Sequence, residues 1–215
     1  MKILKIDKVN ADKIVLQHAA KILAAGGVII HPTETVYGLA AVWNRTEALE
    51  KIAKLKGREM SRPSSIMVSS VAEMLEISGN EDSRLRYLLA ALFPAPLTTL
   101  IKRRMLQPLP YWNRFEYLGF RLPAHELSLN LVEETGCPLI TTSANLTGEN
   151  PAQTVDEIPR EIKRRIDLVL DGGACIYKTP STVVKITSEP PGYEILRKGA
   201  YPVEKFIKMF EKYFL

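Results

Sequence analysis

The chain is poor in the side chains that usually announce a metal centre or a disulfide scaffold: its 215 residues include two cysteines and three histidines. Cys137 and Cys175 stand apart, with neither a CxxC nor any other metal-ligand spacing, and His18, His31 and His125 are scattered. A structural metal or a disulfide framework is therefore not expected. Cys137 reads as a small core residue beside a strand, and His18 as part of the first helix. Long apolar runs are also missing, so nothing approaches the roughly 20 residues of a membrane span. The opening MKILKIDKVNADK mixes charged and apolar residues too evenly for a signal peptide, and a cytoplasmic location is the expectation. No Gly/Ser/Pro-rich linker, charge block or internal repeat divides the sequence, which predicts one domain over residues 1–215. There is no Walker A run, no GxGxxG, no aromatic RNP run and no GXXG clamp, so motif inspection alone does not announce nucleotide or RNA binding.

What is present suits a folded, water-facing protein. A 46% apolar content is ample for a core, and the length allows one sizeable domain. The net charge of +5 comes from 29 Lys and Arg against 24 Asp and Glu, an excess that phosphates would use but that does not itself prove a phosphate ligand. Lys102-Arg103-Arg104 and Lys163-Arg164-Arg165 are the densest basic clusters; solvated surface is the first reading of each and RNA contact the second.

Periodicity places helices and strands in alternation. Lys13 to Ala25 repeats at helical spacing and stops at Gly26-Gly27, and Thr46 to Leu55 has Ala48, Leu49, Ile52, Ala53 and Leu55 on one side. Ser70-x-x-Glu73 and Thr154-x-x-Glu157 are capping-box patterns, Leu85, Leu88, Leu89 and Leu92 mark another helix face, and Val203 to Phe214 is a last amphipathic helix. Strands are predicted at 28–31, 65–69, 97–102, 117–122, 138–142, 167–171, 181–187 and 193–197. The expected fold class is α/β of the mixed, α+β kind: a twisted, mostly mixed sheet with flanking helices.

Two predicted strands run straight into polar loops, and strand ends are where α/β proteins open their sites. Leu139-Ile140-Thr141 leads to Thr142, Ser143 and Asn145, with Gly148, Asn150 and Pro151 punctuating the loop that follows. Val28-Ile29-Ile30 leads to HPTETVYGLAA, where Pro32 fixes the exit, Thr33, Glu34, Thr35 and Tyr37 offer hydroxyl or carboxylate groups, and Gly38 permits close backbone approach. Helix 46–55 ends at Lys56-Gly57-Arg58, which in isolation would read as compensation of a helix dipole.

In this order and spacing the motifs resemble those of the YrdC-like threonylcarbamoyl-AMP synthases, in their short form without a C-terminal extension. The likeness runs nearly end to end. It covers Pro32 to Leu39, Lys56 with Arg58, Phe93 to Thr98, Arg121-Leu122-Pro123 with His125, Ser143-Ala144-Asn145, Asp171-Gly172-Gly173, Ser181 to Val184 and Leu196 to Gly199. The Lys-x-Arg together with the Ser-x-Asn is its most distinctive pair.

The resemblance implies a YrdC-like sheet with a concave, basic cleft, and conversion of ATP, L-threonine and bicarbonate or CO2 to L-threonylcarbamoyl-AMP and pyrophosphate. The product would feed threonylcarbamoyladenosine modification of tRNA through a downstream transferase machinery. By position, Lys56 and Arg58 would carry catalysis, and ATP would be held by these with Ser143, Asn145, Ser181 and Arg197. Thr33, Thr35, Tyr37 and Arg121 would form the threonine and carbamate wall, with a structural ion pair as the competing reading of Arg121. Mg2+ would arrive with ATP and need no dedicated protein cage.

Departures follow the Lys-x-Arg. Many relatives continue with a proline and an Asn-Pro-Leu strand entry, whereas Glu59 and then Arg62-Pro63-Ser64-Ser65 stand here. Ser69 or Ser70 occupies a region where some relatives place a histidine, and Lys185 stands where many carry an aspartate. The alternative reading is a non-catalytic module of the same fold that binds double-stranded RNA or tRNA. A carbamoyl-transferring domain of the hydrogenase-maturation kind is a further alternative, set aside because its zinc-finger and acylphosphatase-like regions are missing.

Overall fold

The computed structural model describes residues 2–7, 12–57, 64–104 and 111–214. Strand β1 (Lys2–Lys5) precedes helix α1 (Lys13–Ala24), whose first turn is capped by the Asp12 carboxylate accepting from Ile14 N at 2.8 Å. Leu16, Ala19, Ala20 and Leu23 are its buried stripe. Strands β2 (Ile29–His31) and β3 (Gly38–Val42) form an antiparallel pair around the HPTETVYG turn, and α2 (Thr46–Leu55) follows.

After β4 (Ser65–Met67) come α3 (Val71–Ser78) and α4 (Ser83–Leu92). The capping box of α3 is extended by one residue. Ser70 Oγ accepts from Glu73 N at 3.2 Å, while the Glu73 carboxylate takes the amide of Ser69, not Ser70, at 2.7 Å. Then follow β5 (Leu97–Lys102), a short 3-10 turn at Trp112–Arg114, β6 (Tyr117–Arg121), α5 (Glu126–Thr135), β7 (Leu139–Ser143), α6 (Arg160–Arg164), β8 (Leu168–Asp171), β9 (Thr182–Ile186), β10 (Tyr193–Arg197) and α7 (Val203–Tyr213).

All the strands join one mixed sheet in the order β1-β8-β2-β3-β7-β4-β6-β5-β9-β10. Parallel pairs (β1 with β8, β8 with β2, β4 with β6, β5 with β9) are mixed with antiparallel ones, as the fold class predicts. One face carries the larger core, with Ile66, Leu97, Ile101, Leu118, Phe120, Ile140 and Val184 packed under α2, α3, α4 and α7. The opposite face is apolar at the ends that α1 and α5 cover: Ile29, Ala40, Val42, Met67 and Leu139 meet Leu16, Leu23, Leu127 and Leu131. Side chains of one strand face alternate every second residue, so continuing along that face leads from Leu139 to Thr141 and Ser143, from Met67 to Ser65, and from Ala40 to Gly38. Beyond the two helices the same face turns polar.

The predicted strands all form, within one to two residues at their ends. Two further strands escaped the pattern: β1, a largely exposed edge, and β3, whose Gly-Leu-Ala-Ala-Val is buried at every position and shows no alternation. The Thr154-x-x-Glu157 pattern does not open a helix. Glu157 instead accepts from Gln153 N at 2.8 Å in a run of bends and turns, and the helix starts only at Arg160. Pro159 is the reason, since it restricts Ile158 away from helical geometry and supplies no amide. Among the described residues no helix is long and apolar enough to cross a membrane.

The face of α7 is held by aromatic packing: Phe210 is fully buried, with ring centroids 5.0 Å from Tyr193, 5.8 Å from Phe206 and 4.8 Å from Phe214. Phe210→Ala is expected to lower the unfolding free energy by about 3–5 kcal/mol. Denaturant titration reads this directly, and a loss under about 1 kcal/mol would show that the α7 face is dispensable.

Candidate active site

Where α1 and α5 stop covering the sheet, a cleft of about 520 Å³ opens across β3, β7, β4, β6, β5 and β9. Its floor is the alternating polar series of those strands: Gly38, Thr141 and Ser143, Ser65, Gly119 and Arg121, Thr98, then Val183. The loops that leave β2 and β7 and the C-terminal end of α2 at Lys56 form its walls.

One wall is built on Lys56. The residue caps the C-terminus of α2 and is 5% exposed, yet its ammonium turns away from the helix end. It donates to the Ser143 carbonyl at 2.6 Å and the Asn145 carbonyl at 2.8 Å, with Asn145 Oδ1 at 3.3 Å and Ser143 Oγ at 3.5 Å. Simple dipole compensation is therefore not its role. The Lys56 carbonyl in turn accepts from Thr147 N and Thr147 Oγ1, at 3.3 and 2.8 Å. Asn145 spends both amide protons inside its own loop, on Leu146 O at 2.9 Å and Glu149 O at 2.7 Å. The Ser-Ala-Asn loop is thus shaped by a cation at its centre. Arg58, Glu59, Arg62 and Pro63 lie outside the described residues.

The opposite wall carries Arg121, Ser181 and Arg197. Arg197 Nε donates to Ser181 O at 3.0 Å and Nη2 to Ser181 Oγ at 3.2 Å, and Ser181 Oγ meets Thr98 Oγ1 at 2.8 Å. Partial burial and then the charge of Arg121 draw the Arg197 pKa below the usual arginine value, which puts both cations over one space. Arg121 lines the cleft and pairs with buried Glu34, Nη2 to Oε1, at 2.6 Å, so an ion pair is indeed part of its role.

The turn between β2 and β3 is a hydroxyl knot. Thr33 Oγ1 donates to Val36 O at 2.7 Å, meets Thr35 Oγ1 at 2.8 Å, and accepts from the amides of Thr35 and Val36 at 3.1 and 3.2 Å. Both threonines line the cleft. Tyr37 also lines it, but its hydroxyl points elsewhere and donates to Gly173 O at 2.8 Å, pinning the Asp-Gly-Gly turn. Ser69 and Ser70 serve the cap of α3 and do not line the cleft.

Of the expected site residues, every one among the described residues lines this space, and Arg58 lies outside them. Thr98, Thr141 and Tyr117 also line the cleft without being expected there, and Glu34, expected only as a polar group of the β2–β3 turn, is buried behind it. Thr141 and Tyr117 share the every-second-residue register of Ser143 and Arg121, a signal available in the sequence, whereas no residue of Thr98's own strand was assigned. The Glu34 partnership crosses 87 positions and has no such signal.

Behind the knot, His31 is fully buried and neither ring nitrogen has a hydrogen-bond partner among the described residues. Burial, then the charges of His125 and Arg121, push its pKa down to about 3 from 6.5. Gly38 lies against it; a Cβ there would sit 3.2 Å from His31 Nε2 and 3.0 Å from Thr141 Oγ1.

The chain can now be set beside known proteins. The model of the Sua5/YciO/YrdC family, described as telomere recombination, matches residues 21–199. A Methanocaldococcus jannaschii protein, provisionally named threonylcarbamoyl-AMP synthase, is 32% identical over 209 residues, covering 96% of this chain and 97% of that one. The Pyrococcus abyssi threonylcarbamoyl-AMP synthase is 32% identical over 192 residues, which are 89% of this chain and 56% of that protein. The crystal structure of P. abyssi Sua5 complexed with L-threonine superposes with a TM-score of 0.89 at 26% identity, over 97% of this chain and 61% of that one. The chain thus spans a little over half the length of the Pyrococcus relative.

His31 makes a pH prediction. Its folded pKa is depressed, so the stability it contributes is complete above the unfolded value of 6.5 and is lost as pH falls toward about 3. Between pH 7 and pH 5 this one group should remove about 2 kcal/mol of unfolding free energy. Denaturant titrations at the two pH values should show that difference in the wild-type chain and a smaller one in His31→Asn; equal slopes would refute it.

Proposed function

Because the chain belongs to the Sua5/YciO/YrdC family, we propose that it is a threonylcarbamoyl-AMP synthase, converting L-threonine, bicarbonate or CO2 and ATP to L-threonylcarbamoyl-AMP and pyrophosphate. The observation that carries the reading is the meeting of two differently built walls over one cleft: the Lys56-centred Ser-Ala-Asn loop, and the Arg121 and Arg197 pair with Ser181 and Thr98.

The chemistry asks for such a surface. The threonine amine attacks the carbon of CO2, or of bicarbonate with loss of water, and sheds a proton to give a carbamate. A carbamate oxygen then attacks the α-phosphorus of ATP as the bond to the β-phosphate oxygen breaks and pyrophosphate leaves. No protein nucleophile is needed, and the protein's part is to bring reactants together and meet developing negative charge with fixed donors. Lys56, Arg197, Ser143 and Asn145 are the ATP-facing group in this reading, with Arg58 assigned to it from the motif. Thr33, Thr35 and Arg121 face threonine, Arg121 offering its guanidinium to the substrate carboxylate. Magnesium enters as part of the ATP complex in this reading. The product would pass to a tRNA-modifying transferase, in the cytoplasm.

Pyrophosphate release by the purified protein tests this, with threonine and bicarbonate omitted in turn. Release should require both, and Lys56→Ala should lower kcat/KM at least about 100-fold. Salt-sensitive binding of double-stranded RNA without any release would instead favour the non-catalytic module.

A further inference from the structure

Arg121 lines the cleft, whereas the carboxylate that holds it does not. Glu34 is fully buried behind the β2–β3 turn, where its backbone carbonyl is anchored by Tyr177 N at 2.8 Å. Its Oε1 accepts from Arg121 Nη2 at 2.6 Å, and the same nitrogen donates to Thr35 Oγ1 at 3.2 Å. Thr35 is itself fixed by Thr33 at 2.8 Å, so Nη2 is clamped between two groups that are anchored elsewhere.

The pairing is end-on. Glu34 Oε2 and Arg121 Nε are buried and lack hydrogen-bond partners among the described residues, although a side-on fork would have satisfied both. A buried ion pair that leaves polar atoms unsatisfied is a poor stabilising device, and an apolar pair of similar volume would do as well for the fold. What the arrangement does achieve is placement. With Nη2 taken and Nε sequestered, Nη1 is the nitrogen left to the cleft, making no hydrogen bond among the described residues. The Glu34 charge also offsets that of Arg121. This end of the cleft can then accept a single carboxylate without competing for the triphosphate, while Arg197, which has no ion pair among the described residues, stays open to phosphate.

We propose that Glu34 is a positioning residue of the amino-acid subsite, acting through Arg121 by clamping Nη2 so that Nη1 is presented to the substrate carboxylate. The inference rests on the reading of this cleft as the threonine site.

The wild-type chain, Glu34→Gln, Arg121→Lys and the double variant are compared by calorimetric binding of L-threonine and by pyrophosphate release with threonine and ATP varied separately. Glu34→Gln should weaken threonine binding and raise its KM about 10- to 100-fold, with KM for ATP changed less than about twofold. The double variant should bind threonine no more weakly than Arg121→Lys alone, because Glu34 has no route to substrate except Arg121. Unaltered threonine affinity in Glu34→Gln, or additive losses in the double variant, would overturn the proposal, as would equal losses toward threonine and ATP. If Glu34→Gln does not fold, Glu34→Asp carries the same test, since it keeps the charge and withdraws the carboxylate by one methylene. Threonine binding without threonine-dependent release would sink the synthase reading and leave the positioning role standing; no threonine binding by the wild-type chain would sink both.

Discussion

Lys56 Nζ, donating at 2.6 and 2.8 Å to the carbonyls of Ser143 and Asn145, ties the end of α2 to the exit of β7, and the shape of the cleft depends on that tie. An ammonium loses much hydration when buried, so it stays only where several oxygens replace the lost water. Those oxygens are backbone carbonyls of a loop that would otherwise have no reason to turn inward. Neighbouring bonds extend the constraint: Thr147 returns to the Lys56 carbonyl, Ala144 N donates to Tyr37 O at 2.8 Å, and Tyr37 N to Ala152 O at 2.8 Å. The β2–β3 turn, the Ser-Ala-Asn loop and the end of α2 therefore move as one piece. Removing the Lys56 side chain would take the ammonium donor from the Asn145 carbonyl and leave the Ser143 carbonyl only the amide of Asn145 at 3.0 Å, and a buried acceptor left unsatisfied costs on the order of 1–3 kcal/mol, so its loss disturbs the wall as well as the charge.

The sheet supplies the other half of the design through unequal covering. On one face the helices run its length; on the other, α1 and α5 cover only the ends at Val42, Leu139 and Met67. Each strand of that face changes character along its own length, apolar beneath the helices and hydroxyl-rich or glycine beyond them. No separate site-forming domain is needed. The strand alternation that buries Leu139 also aims Ser143 into the cleft, and the register that pairs Met67 with Arg121 brings the guanidinium to the same edge.

How much of this the sequence reveals depends on the range of the interaction concerned. Strands with apolar runs and turn punctuation, such as 97–102 and 193–197, are local features and are legible, as are the cap at Ser70 and the buried stripe of α2. Strand β3 is not, because Gly-Leu-Ala-Ala-Val is buried on both faces and lacks both alternation and β-branched bulk until its last residue. The Thr154 pattern misleads because Pro159, just beyond the window of a capping box, decides the outcome. At the site, motif order singles out Lys56, Ser143, Asn145, Arg121 and Arg197, and the structure gathers them. It says nothing of who holds whom: that the Lys56 ammonium shapes the asparagine loop, that Tyr37 turns its hydroxyl to Gly173, or that Glu34 meets Arg121. Partnerships across 80 to 140 positions depend on the finished topology.

Two cationic sites in one cleft raise the problem of keeping their anions apart, and the two walls meet it by different means. At the first wall the positive charge is embedded in carbonyl dipoles that point at it, so its field is directed along the loop and its ligand must also satisfy Ser143 and Asn145 geometrically. At the second, Arg121 is offset by a carboxylate 2.6 Å away, while Arg197 nearby is held, among the described residues, by Ser181 oxygens. The net attraction for a polyanion therefore falls off toward Arg121 and the hydroxyl knot. Neutral His31 completes the arrangement from below: were it protonated, its charge would add to Arg121 and undo the offset that Glu34 provides. Burying a histidine with no hydrogen-bond partner among the described residues costs stability as the pH falls, and the same burial keeps a further positive charge away from Arg121 at ordinary pH.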